Sequence, residues 1–343
     1  MYSDFWGNAG VVEALERMTA GDRIPQTLLF SGPEGVGKAT LARRFAAGLL
    51  GSAEKIEQDD LSREENRALI IERERWTGEK RAEDPLFFST HPDFVTFCPE
   101  GPLRQISIQQ MRLARERAQL LPFHGRWRVF LIAHFDRASN QVADSLLKTL
   151  EEPPPHLILV LTAENPFDLP PTIRSRSVQF HLSPLSDDEM VSFAKSRALP
   201  DAARRIALSG GCPGAAADLD LAVYEKRRAV LLALLEAASG GPFGAWVQKS
   251  ETVLSSKSEK LDLYFKILYS LLEDLLVLMH GGTRVRNRDV VGELNSIASR
   301  VSFGWVREAV AVADNLIGLQ RRNVQKIPSL DGAVVQLRAA LGS

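Results

Sequence analysis

The chain has 343 residues, 45% of them hydrophobic and 25% charged, an ordinary composition for a folded protein of two or three domains. Its formal net charge of −1 creates no long-range basic field, so any contact with nucleic acid has to come from a local patch. Two cysteines cannot build a four-ligand zinc site, and unpaired thiols are usual in a reducing compartment, so the expected location is the cytoplasm.

The opening "MYSDFWGNAG" lacks the basic region and apolar run of a secretion signal. Residues 11–20 have helical spacing, and "QTLLFSG" reads as a short buried strand stopping at Gly32. A glycine-rich turn leads into "KATLARRFAAGLLG", which is apolar at helical spacing and closed by Gly51. From 52 to 84 the composition turns to charge. This predicts a solvated helical insertion or a flexible loop, with a partner-binding arm as the alternative.

"HPDFVTF" predicts a strand, and "ISIQQMRLARERAQ" a strand edge leading into a helix. The apolar runs in "RWRVFLIAHFD" and "HLILVLTAENP" predict buried parallel strands. Between them, "SNQVADSLLKTLEEPP" is a helix that Ser139 can cap and Pro153 with Pro154 stop. "LPPTIRSRSVQFHL" reads as a turn, a short helix and a last strand. Alternating strands and helices, with a glycine turn after an early strand, predict a doubly wound α/β domain.

Past Pro184 no strand pattern follows. "SPLSDDEMVSFAKSRA" and "PDAARRIALSGGCPGAAADLDLA" predict a small bundle of short helices broken by glycines. From 224 onward, four or five longer helices are expected, punctuated by "SGGPFG", "HGGTR" and "KIPSLDG". The most apolar stretch there, "LYFKILYSLLEDLLVLMH", carries Lys266, Glu273 and Asp274 and reads as a buried helix, not a membrane span.

The chemistry centres on "GPEGVGKAT". Gly32, Gly35 and Gly37 allow the tight turn that lets backbone N–H groups and a helix N-terminus face an anion, and Lys38 can reach β- and γ-phosphates. Hydrolysis needs a Ser or Thr after the lysine to ligate Mg²⁺, and Ala39 stands there. Thr40 follows about 100° further around the helix and is no automatic substitute.

A metal-binding Asp and a water-activating Glu are also expected after the central strand, where Ala133 and His134 stand instead. If the strand stays extended, Asp136 falls on its opposite face. His134 reads as a packed or solvent-facing histidine, with a catalytic base as the alternative. The site is expected to be catalytically silent. In "TIRSRS", Arg174 and Arg176 are either plain surface arginines or include an arginine finger for a phosphate held by a neighbouring subunit.

These landmarks, together with "HPDF", "LPFHGRWRVFLIAHFDRAS", "SLLKTLEEPPPHLILVLTAENP" and "LSGGCPGAA", resemble the clamp-loader subunits of bacterial DNA polymerase III within the AAA+ superfamily. In the last third only "NVQKIPSLDGAVVQL" is similar. The resemblance implies a P-loop α/β domain with a parallel sheet over 1–183, a small helical lid over 184–223 and an all-α collar, the oligomerisation domain, over 224–343. Ser175, Arg176 and Ser177 match the family's Ser-Arg-Cys motif, which gives Arg176 the finger role. Glu164 and Gly214 stand near its two sensor positions and are not the residues expected there, while Phe5 and Trp6 stand where the family packs adenine.

Within that family, the hydrolysing gamma/tau subunits keep the acid pair, the hydroxyl, the sensors and four zinc cysteines, so this chain is more similar to the delta-prime type. The resemblance then implies a subunit of the polymerase III holoenzyme without ATPase activity of its own and without zinc. Its partners would be delta and gamma/tau subunits in a hetero-pentameric ring, and through that complex the sliding clamp and primer–template DNA, with no membrane. Weakly bound ATP or ADP and an empty loop both stay open. An active ATPase using Thr40 and Asp136, and an adaptor working outside any ring, are the rival readings.

Overall fold

The computed structural model describes residues 2, 4–254, 261–320 and 326–342, which divide into two compact units. The first comprises residues 1–199 and 211–217, and the second residues 200–210 and 218–343. The segment 184–223, expected as a lid, is thus shared between the two.

In the first unit, α1 (Ala9–Ala20) precedes β1 (Thr27–Ser31), and α2 (Lys38–Leu50) follows the glycine turn and ends on Gly51 in a left-handed cap. The charged segment folds into α3 (Ala53–Glu57), α4 (Glu64–Arg73) and α5 (Gly78–Glu83). Then come β2 (Phe94–Phe97), α6 (Ile108–Ala118), β3 (Arg128–Ile132), α7 (Asn140–Glu151), β4 (Leu157–Ala163), α8 (Pro171–Arg174), β5 (Val178–His181) and α9 (Asp187–Ser196). Ser139 accepts from the Val142 N–H, as its capping position requires. Of the next two helices, α10 (Ala202–Ser209) belongs to the second unit and α11 (Pro213–Asp218) mostly to the first.

The strands pair in parallel in the order β2-β3-β4-β1-β5. Strand alternation sends side chains to two separate cores. Leu29, Phe130, Ile132, Leu159 and Leu161 pack with α6 and α7, while Leu28, Phe30, Val129, Leu131 and Val160 pack with α1 and α2. Burial on both faces is why the central strands read as unbroken apolar runs.

The segment 52–84 is held by ion pairs and packing. Buried Arg43 of α2 bonds Glu57 at 3.0 Å and also pairs with Asp60. Buried Asp59 accepts from the Thr90 hydroxyl at 2.6 Å. Arg73, 5% exposed, pairs with Asp84 at 3.0 Å and lies 3.8 Å from buried Glu100. Arg73 and Lys80 both lie over the Trp76 ring, at 4.1 and 3.6 Å. Leu69 and Ile70 of α4 pack against Leu86, Phe88 and Cys98. The segment is therefore helical and packed, and the flexible-loop expectation fails because its charges find partners far away in sequence.

The second unit continues with α12 (Leu221–Ala238), α13 (Gly244–Leu254), α14 (Leu261–Met279), α15 (Val291–Ala298), α16 (Phe303–Gln320) and α17 (Lys326–Ala339). Trp246, Tyr264, Leu271, Leu275, Trp305 and Val334 form its core. Inside it, buried Asp274 accepts from the Arg286 and Asn287 amides at 2.7 and 2.9 Å, and Asn287 in turn accepts from Tyr224 and Arg228. "KIPSLDG" was expected to break a helix but lies within α17. Pro328 falls in the first turn, where a missing N–H has no intrahelical partner to lose. Of "NVQKIPSLDGAVVQL", residues 323–325 lie outside those described.

Candidate nucleotide site and arginine turn

The turn after β1 takes the conformation its glycines were expected to supply. Gly32 has φ 140° and Gly35 φ 78°. A Cβ on Gly35 would lie 2.5 Å from the Ala215 N, so a side chain is excluded by contact as well as by conformation. Gly37 caps α2 and lies beside the Phe5 ring. Lys38, 6% exposed, donates from Nζ to the Gly32 and Pro33 carbonyls at 2.6 and 2.9 Å. Burial lowers its pKa, against the opposing pull of Glu164, Asp136 and Cys212.

Neighbouring parallel strands bring further residues to this end of the sheet. The Glu164 carbonyl, just past β4, accepts from the Gly32 N–H at 3.2 Å. Burial raises the Glu164 carboxyl pKa, with Lys38 lowering it and Asp136 raising it further. Past β3, Ala133 is buried with Leu86, Phe88 and Cys98. His134 is left-handed at φ 53°, and its N–H donates to Thr162 Oγ1 at 2.9 Å. Its Nδ1 is buried without a hydrogen bond. Burial, with Arg137, Lys38 and Arg104 nearby, holds its imidazole down at about 4, so it is a packed, neutral ring.

The expectation that Asp136 falls on the opposite face is corrected here. Strand β3 ends at Ile132, His134 reverses the backbone, and residues 135–137 form a 3₁₀ turn. The alternation of an extended strand no longer applies, and Asp136 comes within electrostatic range of both Lys38 and Glu164. Its Oδ1 is buried without a hydrogen bond. Among the described residues, no three His, Cys, Asp or Glu side chains are placed to share a metal ion.

Ala39 packs against the α2-side core, and Thr40 beside it is half-buried. Of the two aromatics, Phe5 reaches the loop at Gly37, whereas Trp6 packs edge-on against Phe193 of α9 with centroids 6.1 Å apart. Gly214 makes a backbone contact that sequence reading missed: its N–H donates to the Gly35 carbonyl at 2.8 Å. The only signal of it was a glycine at both positions. The loop amides, the α2 N-terminus and Lys38 fit a phosphate group. Ala39, Ala133 and His134, at the positions where a hydroxyl and an acid pair for Mg²⁺ were expected, carry no hydroxyl or carboxylate.

Arg176 lies elsewhere. It precedes Val178, which pairs with Leu28 near the start of β1, whereas the loop leaves β1 after Ser31. At about 3.3 Å per residue, the arginine turn and the loop occupy opposite ends of the sheet, at least roughly 10 Å apart along the strands. The guanidinium meets Glu151, the last residue of α7, at 2.8 Å. It also donates to the Thr172 carbonyl at 3.1 Å. Arg174 instead lies 5.0 Å over the exposed Phe167 ring.

A further surface feature escaped the sequence reading. Leu120, Leu121 and Phe123 form an exposed apolar turn before β3. Asp93, fully buried, accepts from the Phe123 and His124 amides at 2.6 and 2.8 Å, and Arg128 donates to the Leu120 carbonyl at 3.1 Å. The apolar "LLPF" beside a buried-strand pattern was the available clue.

A family model described as DNA polymerase III, delta subunit, matches residues 80–186. The delta' subunit of Escherichia coli is 29% identical over 216 residues, 62% of this chain and 63% of that protein. The delta' subunit of Pseudomonas aeruginosa is 33% identical over 191 residues, 54% and 52% respectively. The tau subunit of E. coli is 32% identical over 193 residues, 55% of this chain and 26% of tau. The chain thus spans from about a quarter to less than two thirds of the length of these relatives. A gamma-subunit-related protein from Thermotoga maritima superposes with a TM-score of 0.41 at 15% identity, over 95% of this chain and 99% of that one.

The five-stranded parallel sheet with a glycine loop after β1 is a P-loop α/β fold, and the family model and the sequence relatives support a clamp-loader type of AAA+ protein. Over the matched residues the chain is similar to clamp-loader subunits of DNA polymerase III, of both the delta' and the tau/gamma kinds.

Proposed function

We propose that the chain is a non-hydrolysing, delta-prime-type stator of a bacterial clamp loader, lending Arg176 to the ATP site of a neighbouring subunit. The observation that carries this reading is the separation of Arg176 from the chain's own loop, onto the opposite end of the sheet. A guanidinium there is of no use to a phosphate on Lys38 and is available to one held next door. Arginine suits that work because its planar fork stays charged and matches phosphate oxygens.

In this reading the chain sits in the cytoplasm, in a hetero-pentameric ring between a delta and a gamma/tau subunit. The ring acts on the sliding clamp and on primed DNA. ATP or ADP, if held by this chain, would rest on the loop amides and Lys38 and would not be hydrolysed. The test is a reconstituted loader carrying Arg176→Ala. A fall of about 10³-fold in DNA-stimulated ATP turnover is expected from loss of an arginine finger, and undiminished turnover would refute the role.

A second reading, an ATPase with unusual ligands, is favoured by one observation: Asp136 and Glu164 both lie within electrostatic range of Lys38. ATP hydrolysis by the isolated chain that disappears in Lys38→Ala would support it over the first.

A further inference from the structure

Glu151, the first Glu of "LEEPP", forms the ion pair with Arg176 at 2.8 Å. Glu151 closes α7, so its carboxylate lies at the helix end that disfavours negative charge. The guanidinium beside it offsets that repulsion. A second N–H of Arg176 is spent on the Thr172 carbonyl of α8, which fixes the fork in a folded-back position.

The pair is not a structural staple. The Arg176 and Glu151 side chains remain 35% and 49% exposed, and an ion pair in so much water is weak and easily exchanged. A terminal phosphate carries more charge than a carboxylate and offers the same two-oxygen match to the fork, so it can displace Glu151.

We infer that Glu151 is a positioning residue that parks Arg176 against its own subunit until the terminal phosphate of a neighbour's nucleoside triphosphate replaces it. This rests on the finger role proposed above. Parking lowers the fraction of fingers engaged at any moment, and so holds down turnover before DNA is bound. The occupant it yields to is a triphosphate; a diphosphate lacks the group that would compete.

The experiment compares reconstituted loaders carrying Glu151→Gln, Arg176→Ala, or Glu152→Gln as the neighbouring-charge control. Glu151→Gln is expected to raise ATP turnover without DNA about two- to fivefold, the scale of a partly exposed ion pair. The DNA-saturated rate should stay unchanged, so that the stimulation ratio falls. A merely structural role would lower both rates together. In the purified chain, phenylglyoxal should modify Arg176 faster in Glu151→Gln than in Glu152→Gln.

If Arg176→Ala leaves turnover intact, the finger reading fails and takes this inference with it. If Arg176→Ala removes turnover while Glu151→Gln leaves the basal rate and the labelling rate at wild-type values, the finger stands and the parking role is overturned.

Discussion

The Gly214 amide donates to the Gly35 carbonyl at 2.8 Å, joining the start of α11 to the apex of the phosphate loop. A Cβ at Gly214 would lie 2.9 Å from that carbonyl oxygen, closer than side-chain carbons come without displacement. Installing an arginine here, as the sensor position of the family would have it, is therefore expected to push the loop and not to restore sensing. Gly214→Arg should destabilise the first unit by about 1–3 kcal/mol, the usual cost of forcing extra atoms into a packed site. Denaturant unfolding of the full chain would check it, and an unchanged midpoint would argue against the tight contact.

His134 makes a pH prediction. Its folded pKa of about 4 lies below the ordinary 6.5, so between those values the unfolded chain binds more protons. Its contribution is complete above about pH 6.5 and is lost as pH falls toward 4. At its fullest it amounts to about 3 kcal/mol, at 1.36 kcal/mol per unit. Glu164, Asp59 and Glu100 have raised values and work in the opposite sense, contributing below the ordinary carboxylate range and losing that contribution as pH rises through their folded values. His134→Asn keeps a residue tolerant of the left-handed backbone. It should flatten the rise in stability between pH 4 and 6.5, followed by urea midpoints at a series of pH values.

The segment 52–84 holds itself together through Arg73. Replacing it with alanine leaves buried Glu100 without its nearest cation and uncovers one face of Trp76. Breaking a buried pair from one side costs about 3–5 kcal/mol, an upper figure here because Asp84 is largely exposed. Arg73→Ala should speed tryptic cleavage between 52 and 84, whereas a metal chelator should leave the wild-type cleavage rate and melting point where they are. Protection lost on chelation would mean that a metal contributes after all.

Asp93 pins an exposed apolar turn from beneath. In Asp93→Asn one of two acceptors is lost and Arg128 loses a nearby negative charge. A cost of about 1–3 kcal/mol follows from leaving a buried amide unsatisfied. Hydrogen exchange at the Phe123 and His124 amides should accelerate more than global unfolding explains. Equal acceleration everywhere would show that the carboxylate holds the whole unit and not this turn.

Much of the α/β unit was legible in the sequence because buried parallel strands leave unbroken apolar runs, as at "FLI" and "LILVLTA", and because Ser139 and Gly51 mark helix ends by local chemistry. The loop glycines and Lys38 were readable for the same reason, each acting within a few residues of itself. What stayed hidden depends on distant partners or on where a strand stops. Arg43, Thr90 and Glu100 order the charged segment from outside it. Asp136 comes within electrostatic range of Lys38 where β3 has ended at Ile132 and His134 adopts a positive φ. The Gly35–Gly214 contact spans 179 residues, and nothing in either local sequence names the other.

The sheet has a direction, with a phosphate-shaped socket at one end and a charged arginine turn at the other. Subunits joined socket to turn meet through two different surfaces, so such an assembly is head-to-tail and either closes on itself or runs on as a filament. Under the proposed role, a member whose socket has lost its metal-binding chemistry gives such a ring a unique seam: the passing of charge from subunit to subunit starts there and is never received back.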